Sequence, residues 1–112
     1  MRWKGSNRMR HHLFVYGSLK DPSIFESITG DVPHPKKNAR LPGYAHAEPC
    51  FGYPVIRPQK NGIVTGEIIY NVSEEAFKKL DEYEEIGTLY QRTQVSVQTE
   101  GKTITAFVYT GI

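Results

Sequence analysis

Leu13-Phe14-Val15-Tyr16-Gly17-Ser18-Leu19-Lys20 is the stretch from which the rest of the chain can be placed. Four apolar or aromatic residues in a row predict a short, well-buried strand. The strand runs directly into Gly17 and Ser18 and on toward Pro22. A glycine just after a buried strand lets the backbone turn sharply and leaves nearby N–H groups uncovered by a Cβ. Such a turn can hold an anionic group by backbone donors alone. It can equally be an ordinary strand-ending turn, and four residues do not choose between the two.

On the C-terminal side, Asp21-Pro22 has the form of a helix start, with Asp21 as N-cap and Pro22 at the first helical position. Ile24, Phe25 and Ile28 share a face, so a short helix to about Thr29 is predicted, ended by Gly30. Asp31 to Lys37 reads as loop, with His34 solvated. From Asn38 to Glu48, small and apolar residues broken by Pro42-Gly43 predict two short strands around a turn. Pro49 to Pro54 is irregular, with Phe51 and Tyr53 as core or pocket-lining residues. Val55 and Ile56 predict a further short strand, Lys60-Asn61-Gly62 a turn, and Ile63 to Val72 a strand. Gly66 inside that strand suggests a bend or bulge of the kind that curls a sheet into a barrel. Arg92 to Thr99 and Lys102 to Thr110 alternate as strands do, and Glu100-Gly101 joins them as a hairpin.

On the N-terminal side, residues 1–10 form a basic extension with no apolar period. They carry Arg2, Lys4, Arg8 and Arg10 and no acid, which is +4; taken from the chain total of +2, this leaves −2 for residues 11–112. The basic character therefore belongs to the extension and not to the single domain expected over 11–112, which argues against a nucleic-acid surface despite Trp3. Cys50 is the only cysteine, so no intrachain disulfide forms, and a cytoplasmic location is expected. No apolar run approaches membrane-spanning length. His11 and His12 are adjacent at a strand entrance, where successive side chains point apart. Pro49 separates His46 from Cys50. Neither pair predicts a metal site, and no cofactor is expected.

The second helix holds the most informative residue. Ser73 is a good N-cap, Glu74 and Glu75 follow in the first turn, and Val72 with Phe77 forms a hydrophobic staple. The helix is predicted to run to about Glu85. Ala76, Phe77, Leu80 and Tyr83 define its apolar face. At about 100° per residue, Glu84 falls within roughly 45° of the centre of that face, while Glu82 points away and Asp81 sits on the flank. A carboxylate placed there must be hydrogen-bonded, neutralised, facing a cavity, or bent out to water at the helix end. If buried, its pKa rises, and it becomes a better proton acceptor near neutral pH. Glu67, a carboxylate within an apolar strand, either faces outward or is a buried supporting acid.

Three motifs now combine: Phe14-Val15-Tyr16-Gly17-Ser18-Leu19, then Gly66-Glu67-Ile68-Ile69-Tyr70, then Leu80-Asp81-Glu82-Tyr83-Glu84 with Tyr90-Gln91-Arg92. In this order and spacing, from about residue 12 to 110, the chain resembles the gamma-glutamyl cyclotransferase-like superfamily. The likeness is closer to its small single-domain branch of gamma-glutamylamine cyclotransferases and avirulence-induced-gene-like proteins. The resemblance implies an α+β fold: a small, mostly antiparallel β-barrel with flanking helices and a pocket at one mouth. Tyr16, Gly17, Ser18 and Leu19 match the family's substrate loop, Glu84 its catalytic acid/base, and Tyr90 a tyrosine that follows the catalytic residue. Glu85 stands where many relatives have Gly, and the chain ends soon after its last strand, where some relatives continue and cover the pocket. The reaction implied is attack of a substrate's own α-amine on its γ-glutamyl carbonyl, releasing 5-oxoproline and an amine or amino acid, with no metal or cofactor. Three other readings stay open: a non-catalytic small-molecule-binding module of the same fold, a nucleic-acid binder acting through the basic extension, and, more remotely, a glycosidase using Glu67 and Glu84.

Overall fold

The computed structural model describes residues 10–32, 36–48, 54–84 and 90–111. The strand predicted at 13–16 is β1 (Arg10–Val15), and its alternation sorts the molecule into two cores. Leu13 and Val15 join Leu19, Phe25, Ile69, Phe77, Leu80 and Tyr109 on one side. Phe14 joins Leu41, Ile56, Val64, Ile68, Val97 and Val108 on the other. Neighbouring strand residues face opposite sides of their sheet, so a fully apolar run marks a strand covered on both faces.

The elements that follow are α1 (Pro22–Thr29), β2 (Lys36–His46), β3 (Ile56–Ser73), α2 (Glu74–Tyr83), β4 (Tyr90–Thr99) and β5 (Lys102–Gly111). The strands close into a barrel in the order β1-β3-β2-β4-β5. Every neighbouring pair is antiparallel except β1 and β5, which run parallel where Leu13 meets Phe107. The all-strand core lies inside the barrel, and the other core lies between its outer face and the two helices. This is the expected α+β architecture. Among the described residues, no helix is long and apolar enough to cross a membrane.

Two predicted turns prove to be kinks within one ladder. β2 and β3 are each continuous, and their pairing jumps from Pro42↔Ile63 to Tyr44↔Pro58. Gly43, at φ 85°, therefore lies opposite residues 59–62, where Asn61 has φ 67°. Turn residues in both partners bend the two strands together, which raises local twist without reversing either chain. The Glu100-Gly101 hairpin is as predicted, with both residues at positive φ (51° and 77°), the requirement of a two-residue turn that matches strand twist.

Gly66 is not at a bulge. Residues 63–69 pair in unbroken register with β2. The irregularity on the β1 side falls between His11 and Leu13, near Asn71 at φ 58°. Gly66 is instead a close-approach position: an added Cβ would overlap the Val15 carbonyl oxygen and lie 2.8 Å from Phe14 Cζ. Gly66→Ala is expected to cost roughly 1–3 kcal/mol, the usual penalty of overpacking a core, read as a lower urea midpoint at unchanged m-value. Wild-type stability would mean that β1 and β3 have room to separate there.

The basic extension lies outside the described residues apart from Arg10, which opens β1 one residue before the expected domain start. The readings of His34, Cys50, Phe51, Tyr53 and Glu85 also lie outside them.

Candidate active site

Helix α2 is fixed at both ends and along one face. The Ser73 Oγ accepts from the Ala76 N–H at 3.1 Å, completing the predicted N-cap. Ala76, Phe77 and Leu80 are buried against the barrel. The helix ends at Tyr83, earlier than predicted, and Glu84 is its C-cap, its N–H donating to the Leu80 carbonyl at 2.8 Å. Tyr83 was expected on the apolar face but is 46% exposed. Its phenol belongs at the boundary, where an aromatic body with a polar tip is stable. Without Tyr83, the centre of the buried face moves toward Glu84, to within roughly 35° at 100° per residue. The error in the face therefore understated the inward aim of the carboxylate.

Burial pushes the Glu84 carboxyl up from 4.5 to about 7. Desolvation disfavours the charged form of an acid, so this group gains and loses its proton near neutrality. Two phenols stand in its field. Tyr16 is raised well above the ordinary tyrosine value by burial first, then by Tyr90 and Glu84. Tyr109 is raised by burial first, then by its hydrogen bond to Asp81, with Glu84 adding to the shift. Both phenols stay protonated at any physiological pH and act as donors.

The turn after β1 is tied to the same place. The Tyr16 hydroxyl donates to the Tyr109 carbonyl at 2.6 Å. Lys20 N–H donates to the Gly17 carbonyl at 3.0 Å, closing a 3-10 turn over Ser18–Lys20, and Leu19 is buried as its anchor. The leading N–H groups of such a turn have no partner within it. Gly17 has no positive φ, and among the described residues a Cβ there would meet only Pro54 Cγ, at 3.8 Å. Among the described residues, therefore, nothing demands a glycine at this position. Tyr90, buried at the start of β4, donates to the Pro54 carbonyl at 2.6 Å, with its ring in the core beside Leu80 and Tyr109.

Tyr16, Tyr90 and Glu84 thus form one neighbourhood, with the backbone of 17–19 leaving it. Glu67 pairs with Val15 at the end of β1. It lines an open polar groove of about 780 Å³ with Lys20, Asn38, Arg40, Gln98 and Lys102, and neither Glu84 nor Tyr16 contributes to that groove. A paired-carboxylate site of Glu67 and Glu84 gains no support from this placement. Among the described residues, no group of His, Cys, Asp and Glu side chains is arranged to hold a metal ion.

Three residues beside the site were given no role from the sequence: Tyr109, Asp81 and Arg92. Tyr109 alternates with Phe107 on β5, so an outer-face aromatic was legible. Its partner on α2 was not, because the contact is set by tertiary packing.

A barrel closed by one parallel pair, with a half-buried glutamate at a helix end beside a glycine turn, defines a class that the comparisons specify. Residues 13–111 match the model of the family described as gamma-glutamyl cyclotransferase, AIG2-like, and the chain belongs to that family. AIG2-like protein C of Arabidopsis thaliana is 34% identical over 94 residues, covering 82% of this chain and 52% of the relative. A gamma-glutamylaminecyclotransferase of Mus musculus is 31% identical over 115 residues, covering 88% of this chain and 76% of the relative. The chain spans about half the length of the Arabidopsis relatives it matches. Among solved structures, an Arabidopsis thaliana solution structure superposes with TM-score 0.79 at 30% identity, covering 91% of this chain and 68% of the other. A crystal structure of a mouse AIG2-like protein superposes with TM-score 0.76 at 26% identity, covering 90% and 76%.

Proposed function

We propose that the protein is a gamma-glutamyl cyclotransferase-type enzyme in which Glu84 is the general acid/base. The observation that carries this reading is a carboxyl held from water, titrating near pH 7, in the field of Tyr16 at the head of a glycine turn. Family membership and the mouse relative's name point to a gamma-glutamyl amine as the first substrate to try. In the proposed reaction, Glu84 takes a proton from the substrate's α-ammonium. The freed amine attacks the γ-carbonyl, a C–N bond closes the five-membered ring, and the exocyclic C–N bond breaks. The ring nitrogen, cationic once the ring bond has formed, loses a second proton, and the two protons go to the leaving nitrogen, giving 5-oxoproline and the amine as its ammonium. Tethering of the nucleophile supplies much of the acceleration, so proton transfer is what the enzyme must add.

Tyr16, Gly17, Ser18 and Leu19 are assigned to the glutamyl group, held by backbone N–H donors, and Tyr90 to the pocket wall. Among the described residues nothing demands a glycine at 17, which supports this, because such a glycine suits close approach of a ligand to backbone. Gly17→Ala is expected to fold normally and to weaken glutamyl binding about tenfold, the worth of one hydrogen bond to a charged group, read by calorimetry. Unchanged affinity would remove the turn from the site.

The test of the function is release of 5-oxoproline from gamma-glutamyl amines and dipeptides by the purified protein. Turnover supports the enzyme. Tight binding of those compounds with no release would make the chain a binding module of this fold.

A further inference from the structure

We propose that Tyr109 is a positioning residue that ties the Glu84 end of α2 to the turn at Tyr16, with Asp81 and Arg92 completing the brace. The proposal rests on reading Glu84 as the acid/base. Tyr109 is held at both ends. Its carbonyl accepts from the Tyr16 hydroxyl at 2.6 Å, and its own hydroxyl donates to Asp81 Oδ1 at 2.7 Å. The other carboxylate oxygen of Asp81 lies 3.5 Å from Arg92 Nη1. That guanidinium is fixed in turn by two aromatic faces, 4.7 Å from the Phe77 ring centre and 4.9 Å from that of Phe107. Phe77 is on α2, one turn before Asp81, so the cation is clamped by the helix it helps to hold.

The position of the brace gives it a use. Helices fray at their ends, and α2 stops one residue before Glu84. Within the helix, the Glu84 N–H, donating to the Leu80 carbonyl, orients the cap residue. Asp81 lies three residues before Glu84, on the last turn, and is the point where β4 and β5 grip it. Packing alone would be satisfied by Phe at 109. The hydroxyl is aimed instead at a carboxylate that already has a cation. Asp81 and Arg92 are each about a third exposed, and ion pairs of that kind add little stability in themselves. What the pair does is hold Asp81 so that one oxygen faces Tyr109.

Among the described residues, the groups bearing on Glu84 are Tyr16 after β1 and Tyr109 on β5, and those bearing on these two phenols are Tyr90 and Arg92 on β4 and Asp81 on its own helix. The test is Tyr109→Phe, which keeps the ring and removes one oxygen. With glutamate labelled at its carboxyl carbon, NMR titration reads Glu84 directly, without turnover. The released turn should let water in and move its midpoint down from about 7 by about one unit or more. In a turnover assay, the acidic limb of the kcat profile should move with it while KM stays near wild type. Arg92→Lys, at the outer end, keeps the charge and loses the guanidinium clamp, and should shift the midpoint in the same direction by less. An unchanged Glu84 titration in folded Tyr109→Phe overturns the brace. If that variant does not fold, Arg92→Lys decides alone: a downward shift supports the brace, and none overturns it. A wild-type protein that releases no 5-oxoproline defeats the catalytic reading, yet the titration still reports on the brace.

Discussion

Glu84→Gln should lower 5-oxoproline release by about 10²–10⁴, the usual worth of general acid–base catalysis. Glutamine keeps the size of the side chain and one acceptor but takes no proton near neutral pH. The reaction needs a proton removed from an ammonium and delivered to a departing nitrogen. A group titrating at about 7 can do both at physiological pH, whereas one at 4.5 would be a much weaker base. Binding of the glutamyl group should change far less, because the assigned contacts come from the backbone of the 16–19 turn. The loss should therefore appear in kcat rather than KM. Glu82→Gln is the control: it removes the same charge from the same helix turn, but from an exposed position. A drop in both variants would indict helix charge in general. A wild-type rate in Glu84→Gln would defeat the mechanism and leave the fold intact.

Glu84 was legible because a helix imposes its period on every residue it contains. Once Ser73 fixed the start and Ala76, Phe77 and Leu80 the face, the direction of position 84 followed. The end of the helix was less legible. Polar Asp81-Glu82-Tyr83-Glu84-Glu85 gives no stop signal of its own, and the helix ends within it, at Tyr83. The turns at 43 and 61 were misread for a related reason. Gly and Asn report a local backbone conformation, not whether the chain reverses. That depends on the partner strand, which here bends in step. Gly66 shows the same limit: its sequence context announced an exception in a strand, but only the crossing of Phe14 and Val15 says which kind. The Tyr109–Asp81–Arg92 contacts join residues 28 and 11 apart in the chain, on three elements. No local pattern encodes such a meeting.

Glu84→Gln should also make the protein more stable in alkaline solution, by up to about 3 kcal/mol, which is the 2.5-unit rise from 4.5 to about 7 at roughly 1.4 kcal/mol per unit. The sign follows from proton counting. Between pH 4.5 and about 7 the folded protein holds the Glu84 proton and the unfolded chain has lost it. Stability therefore falls as pH rises through that window. Below it both states are protonated and the burial cost vanishes. Above it both are ionised and the whole cost of a desolvated carboxylate is paid by the fold. Glutamine has nothing to ionise, so its stability lacks this slope. Urea melts of both proteins at pH 4.5 and pH 8 isolate the effect, since every other titrating group contributes equally to the two and cancels in the difference. The variant should match wild type at the acid end and exceed it at the alkaline end. Parallel profiles would mean that Glu84 sits in water in solution, and its suitability as a base would go with its burial. The expected divergence would join the two results in one side chain, where the ionised form that removes the substrate's proton is also the form that weakens the fold.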